Sequence, residues 1–367
     1  MKDAAALQKR EKGEPLFHIT KRAEIVWWKA WLIRLAAIAA SLIVCAVISL
    51  LLGDIDPFSF FGSMLNGAFG TARRCWNLFY ELAILLSISL AVTPAFKMRF
   101  WNIGAEGQAL IGGLATAACM YYFGGRIPTP LLFVVMIAAS ILAGMIWAVI
   151  PAVFKAFWNT NETLFTLMMN YVAIQLVTFM INFWVTSGSG TLPPMSAYAL
   201  PTVGNAWILN ILVVALLTVA VYIYLRFSKH GYELSVVGES ENTALYVGIN
   251  VKKVIIRTML LSGALCGVTG LLLVGGTDHT ISTSTVGGRG FTAIMVSWLG
   301  RFNPLFMVLT SFLLAFLKAG ANQVSNDYKM NGSISDIITA VILFFVIGCE
   351  FFIQYRIAFR KHGKEEK

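Results

Sequence analysis

The chain has 367 residues, 58% of them apolar and 13% charged, with 28 basic and 18 acidic side chains and a net charge of +10. Globular proteins carry about 25% charged residues, so a surface facing water on all sides is excluded, and with it a soluble enzyme, a nucleic-acid binder or a single-anchor protein. The positive balance then belongs to basic loops beside anionic lipid.

Along the chain, residues 1–30 are polar and basic. They read as a cytoplasmic arm, helical or disordered at the lipid surface, with no cleavable signal after the first apolar run. Ten apolar runs follow: Leu35–Leu52, Leu82–Phe96, Ala109–Phe123, Leu131–Phe154, Leu164–Val185, Trp207–Leu225, Ile255–Val274, Phe291–Leu299, Leu305–Leu317 and Ile337–Cys349. A membrane-crossing helix needs about 20 residues, so the shorter runs must draw in flanking polar positions. Phe291–Leu299, with nine residues, has the length of half a broken helix. The expected fold is an all-α polytopic bundle of about ten transmembrane helices over residues 31–354, with a basic cytoplasmic tail at 355–367. Assigning loops alternately from a cytoplasmic N-terminus gives the inner side 22 Lys and Arg. The outer side receives six, namely Arg73, Arg74, Arg126, Arg289, Lys318 and Lys329. That asymmetry requires an even number of spans and puts both termini inside. It also makes 226–253 the long internal cytoplasmic connection, and Val185–Ala206, with its glycines and prolines, a folded external loop.

No catalytic or metal site is expected. None of His18, His230, His279 and His362 falls inside an apolar run, which excludes an intramembrane HExxH helix and a haem-ligating pair. The five cysteines are scattered and form no CxxC pair, so they read as reduced filler. Ser187-Gly188-Ser189-Gly190 lacks a histidine on a neighbouring span, and a P-loop is missing, so no cofactor is expected. What remains is polar residues at membrane depth, where charge is costly and faces a cavity or a partner. Trp101-Asn102-Ile103-Gly104-Ala105-Glu106-Gly107-Gln108 concentrates three polar side chains and two glycines where a span begins, the pattern of a broken helix beside a substrate path. A second cluster holds Asn170, Tyr171 and Gln175, the last two one helical turn apart on one face. The glycines from Gly263 to Gly276 are spaced for close helix packing.

The string from Asn102 to Gln108 closely resembles the NIGAEGQ motif of ABC-transporter permeases of the nucleoside and simple-sugar import group. Further ordered matches are Thr163–Tyr171; Gly238-Glu239 with Asn242, Ala244, Tyr246, Gly248 and Ile249; Ser262–Leu265; and Gly290–Thr292 through Leu299–Pro304. Together they run over roughly residues 80–345. The resemblance implies a multi-pass permease of the bacterial inner membrane, not itself an enzyme. It would act with ABC ATPase subunits, a second permease subunit that is a different chain, an extracytoplasmic binding protein or lipoprotein, and membrane lipid, without nucleic acid. It also implies that Gly238–Ile249 is a cytoplasmic coupling segment resting on the ATPase, with Ala244 and Gly248 one turn apart as a small docking face. Asn102, Glu106, Gln108, Asn170, Tyr171 and Gln175 become the candidate substrate path. Their amides and aromatic ring suit an uncharged, hydroxyl-bearing, stackable solute. With no basic residue identified beside Glu106, zwitterionic branched-chain amino acids are the alternative, together with monosaccharides. A stand-alone ion-coupled carrier is the alternative from another class.

Overall fold

The computed structural model describes residues 17–22, 26–53, 56–185, 190–329 and 332–359. Residues 187–189, His362 and most of the two basic termini lie outside them. Each of the ten apolar runs is centred on a different helix, with Val185 and Trp207 just outside theirs and Ile255–Val274 running on into the turn that follows. In chain order the helices are α1 (Trp27–Gly53), α2 (Pro57–Phe69), α3 (Ala72–Lys97), α4 (Ala105–Phe123), α5 (Thr129–Trp158), α6 (Glu162–Trp184), α7 (Ile208–Phe227), α8 (Lys229–Glu239), α9 (Glu241–Tyr246), α10 (Val251–Leu271), α11 (Arg289–Leu299), α12 (Pro304–Asp327) and α13 (Gly332–Gln354). Among the described residues, eight of these are long and apolar enough to cross a membrane: α1, α3, α5, α6, α7, α10, α12 and α13. The two runs missing from that set have physical reasons. α4 has 19 residues but carries Glu106 and Gln108 in its first turn, and α11 has 11 residues.

The chain divides into two units, residues 1–63 with 324–367, and residues 64–323. In the first, α1 packs along α13 through Ala30, Ile33 and Ala37 against Cys349 and Ile353. Arg34 Nε donates to Glu350 at 2.9 Å across the same pair. Strands β1 (Phe17–Lys21) and β2 (Tyr355–Phe359) pair antiparallel, Phe17 opposite Phe359 and Lys21 opposite Tyr355. The arm and the tail, expected to be helical or disordered at the former and simply basic at the latter, therefore each contain a strand: pairing satisfies backbone groups that neither segment could satisfy alone.

In the second unit α3 and α10 are central. Their apolar windows are 83% and 78% buried, against 22–28% for α5, α6 and α7; α5 packs on α10, α7 on α3, and α6 on α4 and α5. Close approach of α10 to its neighbours rests on glycine: a Cβ at Gly263 would sit 2.3 Å from the Gly144 carbonyl of α5. Such small-residue contacts are how helices pack where the solvent is as apolar as the side chains. Hydroxyls stitch the remainder, Ser87 to Thr269 at 2.7 Å and Ser297 Oγ to the Ser89 carbonyl at 2.9 Å. α10 ends in a π-helical turn, Leu272–Asp278, against which the Asn210 amide of α7 donates to Thr277 Oγ1 at 2.6 Å. The loop from residue 190 to 206 folds back on the same end, with Met195 N donating to His279 O at 2.8 Å and Leu200 N to Gly275 O at 2.8 Å.

Candidate functional site

The start of α4 is the most densely bonded polar point of the second unit. A helix begins with four backbone N–H groups that have no partner within the helix. Here side chains from two segments, the preceding turn and α6, supply acceptors at and just before that start. Asn102 Oδ1 accepts from Gly104 N at 3.1 Å and from Gln108 Nε2 at 3.1 Å. Its Nδ2 donates to Ser262 Oγ of α10 at 3.0 Å. From α6, Asn170 Oδ1 accepts from Gly107 N at 2.8 Å while its Nδ2 donates to Ile103 O at 2.9 Å. One turn earlier, Thr166 Oγ1 accepts from Ile103 N at 3.2 Å. Gly107 is required by this approach, because a Cβ there would lie 2.8 Å from Asn170 Oδ1.

Glu106 extends the network to α11. Its two carboxylate oxygens accept from Gly288 N and Gly290 N, each at 2.7 Å, at the first turn of that short helix. Short charge-assisted bonds to the positive end of a helix are the favourable setting for a buried carboxylate. Gly290 has no room for a side chain, since a Cβ would meet Glu106 N at 2.6 Å. Arg289, between the two glycines, turns to Glu81 of α3, with N–O distances of 2.6 and 3.1 Å. The charge of Glu106 is thus met by backbone amides.

The structure separates the six path candidates into two groups. Asn102, Glu106, Gln108 and Asn170 are buried, at 0, 8, 1 and 3% exposure, and fasten α4 to α6, α10 and α11. Tyr171 and Gln175 lie on the opposite, exposed face of α6, with Tyr171 58% exposed. Asn182, which the sequence reading did not single out, is exposed within about 40° of both on the helix wheel. The aliphatic and aromatic positions Val172, Phe179 and Phe183 take the other edge of the same exposed arc.

α8 and α9, next to the turn that leads into α4, carry the coupling candidates. Gly238 is buried against the end of α3, where a Cβ would lie 2.2 Å from the Lys97 carbonyl. Glu239 and Asn242 are exposed, and a pocket of ≈ 210 Å³ opens between Glu239, Glu241, Arg99, Lys155 and Glu162. Ala244 and Gly248 do not share a docking face. Ala244 is fully buried, and the helix ends at Tyr246, so Gly248 sits beyond it at φ +83 with Ile249 N returning to Ala244 O at 2.9 Å. The outward surface is Leu245, Tyr246 and Val247, 59, 92 and 62% exposed.

The family model described as "branched-chain amino acid transport system / permease component" matches residues 75–347. The chain belongs to this permease family. The permease is 30% identical over 324 residues to the guanosine ABC transporter permease protein NupP of Bacillus subtilis, covering 86% of this chain and 92% of that one. It is 28% identical to the glucose ABC transporter permease protein TsgB13 of Haloferax volcanii, covering 94% of each. With the nucleoside ABC transporter permease protein NupB of Lactococcus lactis it shares 27% identity over 86% of this chain and 90% of that one. Family and helices together make the permease a multi-pass membrane protein, a transport subunit whose family implies ATPase and substrate-binding partners. Sequence reasoning missed Thr166, Ser262 and the Glu81–Arg289 pair of the permease. Thr166 stands four residues before Asn170, one turn away on the same face, and that spacing was the available signal.

Proposed function

We propose that the permease forms half of the translocation path of an ABC importer for nucleosides or related simple sugars. The observation that carries this reading is the exposed polar edge of α6, Tyr171 with Gln175 and Asn182, on a helix whose other side is locked to α4 by Asn170. An amide and a phenol on an otherwise apolar surface offer hydrogen bonds and a stacking ring to a neutral, hydroxyl-bearing solute. Asn102, Glu106, Gln108 and Asn170 form the frame against which that edge moves, and so gate it. The names of the guanosine and nucleoside relatives support nucleosides as the solute. The glucose-named relative favours a monosaccharide as the second reading.

Ten spans result when α4 and α11 join the eight long helices, with residues 1–30 and 355–367 in the cytoplasm and 226–253 as the coupling connection. Segments assigned to one side by charge meet at one end of the second unit, which supports this arrangement: residues 190–206 with 275–281, and Gly238 with Lys97. The segment Gly238–Ile249 docks on the ATPase through Leu245, Tyr246 and Val247. A second, different permease chain completes the path, and an extracytoplasmic binding protein delivers solute.

The test is uptake by the complex reconstituted in vesicles with ATPase and binding protein, offered labelled guanosine, adenosine, ribose, glucose or leucine. Tyr171→Ala and Gln175→Ala each raise KM, by about tenfold for the loss of one good contact. Uptake of leucine alone overturns the solute class. Uptake without ATP that an ionophore abolishes overturns the ABC mechanism in favour of an ion-coupled carrier.

A further inference from the structure

α8 turns one face inward, bearing His230, Gly231, Leu234, Val237 and Gly238, positions one and two turns apart. Leu234 is fully buried at the middle of this face, and a specific contact with the spans stands at each end. At the C-terminal end Gly238 lies on the Lys97 carbonyl of α3. At the N-terminal end a single side chain joins two spans. His230 is 6% exposed, its Nδ1 bonded to the Tyr224 hydroxyl of α7 and its Nε2 3.4 Å from Thr258 Oγ1 of α10. Thr258 Oγ1 donates onward to Val254 O at 2.7 Å, so its lone pair faces Nε2. The network therefore assigns the proton to Nε2 and makes Nδ1 the acceptor from Tyr224. The rings of Tyr224 and His230 also meet edge to face, 5.7 Å between centroids at 70°. Ser228 caps the helix beneath, accepting from Gly231 N at 2.9 Å.

Both nitrogens of one imidazole are thus engaged, each by a different membrane helix, at the base of the segment that ends in the exposed Tyr246. α8 already follows α7 across the single residue Ser228, so the Tyr224 bond fixes the angle of that corner, while the Thr258 contact ties the corner to α10. Directional bonds to both make it turn with them. We propose that His230 is a positioning residue that transmits movement of α8 and α9 to α7 and α10, so that ATPase closure is converted into solute transport. This deepens the coupling role assigned above and rests on α9 docking on the ATPase.

The experiment uses the full complex in vesicles and reads ATP hydrolysed per solute moved, alongside co-purification of the ATPase subunits. His230→Ala retains the ATPase and hydrolyses ATP, but moves about three- to tenfold less solute per ATP, the factor corresponding to one or two net hydrogen bonds. Tyr224→Phe removes only the α7 link and gives a smaller rise in ATP per solute. His230→Gln, whose amide offers one donor and one acceptor, recovers part of the coupling. If His230→Ala does not fold, the other two variants carry the comparison. Proportionate loss of hydrolysis and transport in these variants shows a merely structural residue and overturns the proposal, as does an unchanged ratio. Tyr246→Ala addresses the underlying reading separately. If that variant keeps the ATPase bound and coupled, docking through α9 is wrong, whatever His230 does.

Discussion

Replacing Glu106 by glutamine preserves the size of the side chain and removes half of its accepting capacity. In the native chain two backbone donors, Gly288 N and Gly290 N, each reach a carboxylate oxygen at 2.7 Å. A glutamine has one oxygen to offer, and its NH2 group faces the second donor. Hydrogen bonds to a charged partner contribute about 1.5–3 kcal/mol, and a buried donor left without one costs about 1–3 kcal/mol. Removing a buried charge recovers part of its desolvation cost, so the net expectation for Glu106→Gln is a loss of about 2 kcal/mol. For a unit of this size that corresponds to roughly 4–8 °C in melting temperature. The assay is thermal unfolding of the purified permease in detergent, followed by size exclusion after heating, with Glu239→Gln on the exposed surface as control. Glu106→Ala, which leaves both donors without the side chain, melts lower still. A Glu106→Gln protein that melts with the native one would refute the account of α11 as a helix held by this carboxylate.

Asn170→Ala frees Gly107 N and Ile103 O together, and the expected loss is about 2–3 kcal/mol by the same melt, whereas Tyr171→Ala beside it, on the exposed face, stays within about 0.5 kcal/mol. Glu81→Gln and Arg289→Gln each destabilise by about 1–3 kcal/mol, discounted for side chains 16–23% exposed, and the double variant loses less than the sum; additive losses would mean the two groups do not interact. Burial, reinforced by Arg257, holds the His230 imidazole below its ordinary 6.5, opposed by Glu233 and the Val254 carbonyl. The unfolded chain then binds the proton first, so stability is intact above about pH 6.5 and falls as pH drops below it, until the folded imidazole also titrates. His230→Gln flattens this part of the melting-temperature profile, and an unaltered profile contradicts the assignment.

Much of the fold was legible because hydrophobic runs are long and their interruptions few: every run found a helix, including nine-residue Phe291–Leu299. α2 escaped because Pro57–Phe69 is 13 residues and shorter than a crossing, with Phe58 87% exposed. The polar start of α4 was legible as a cluster, and its binding to Asn170 was not, because the acceptors it needs come from elements far away in sequence. Asn170 and Tyr171 read as one group in the sequence. Successive helical residues point about 100° apart, so Asn170 falls on the buried face of α6 and Tyr171 on its exposed one. The partners of Glu106 could not be read at all, since a backbone N–H carries no residue signature. Ala244 and Gly248 show the converse error: a four-residue spacing marks a common face only where the helix continues, and this one stops at Tyr246.

On the proposed path, the carboxylate at the head of α11 also bears on which solutes pass. Amides at the start of a helix attract anions, and here that attraction is met from within, by a group that the chain itself provides. A phosphorylated compound arriving at this point meets a pole already neutralised, and a second negative charge beside the first. An uncharged compound meets no such opposition.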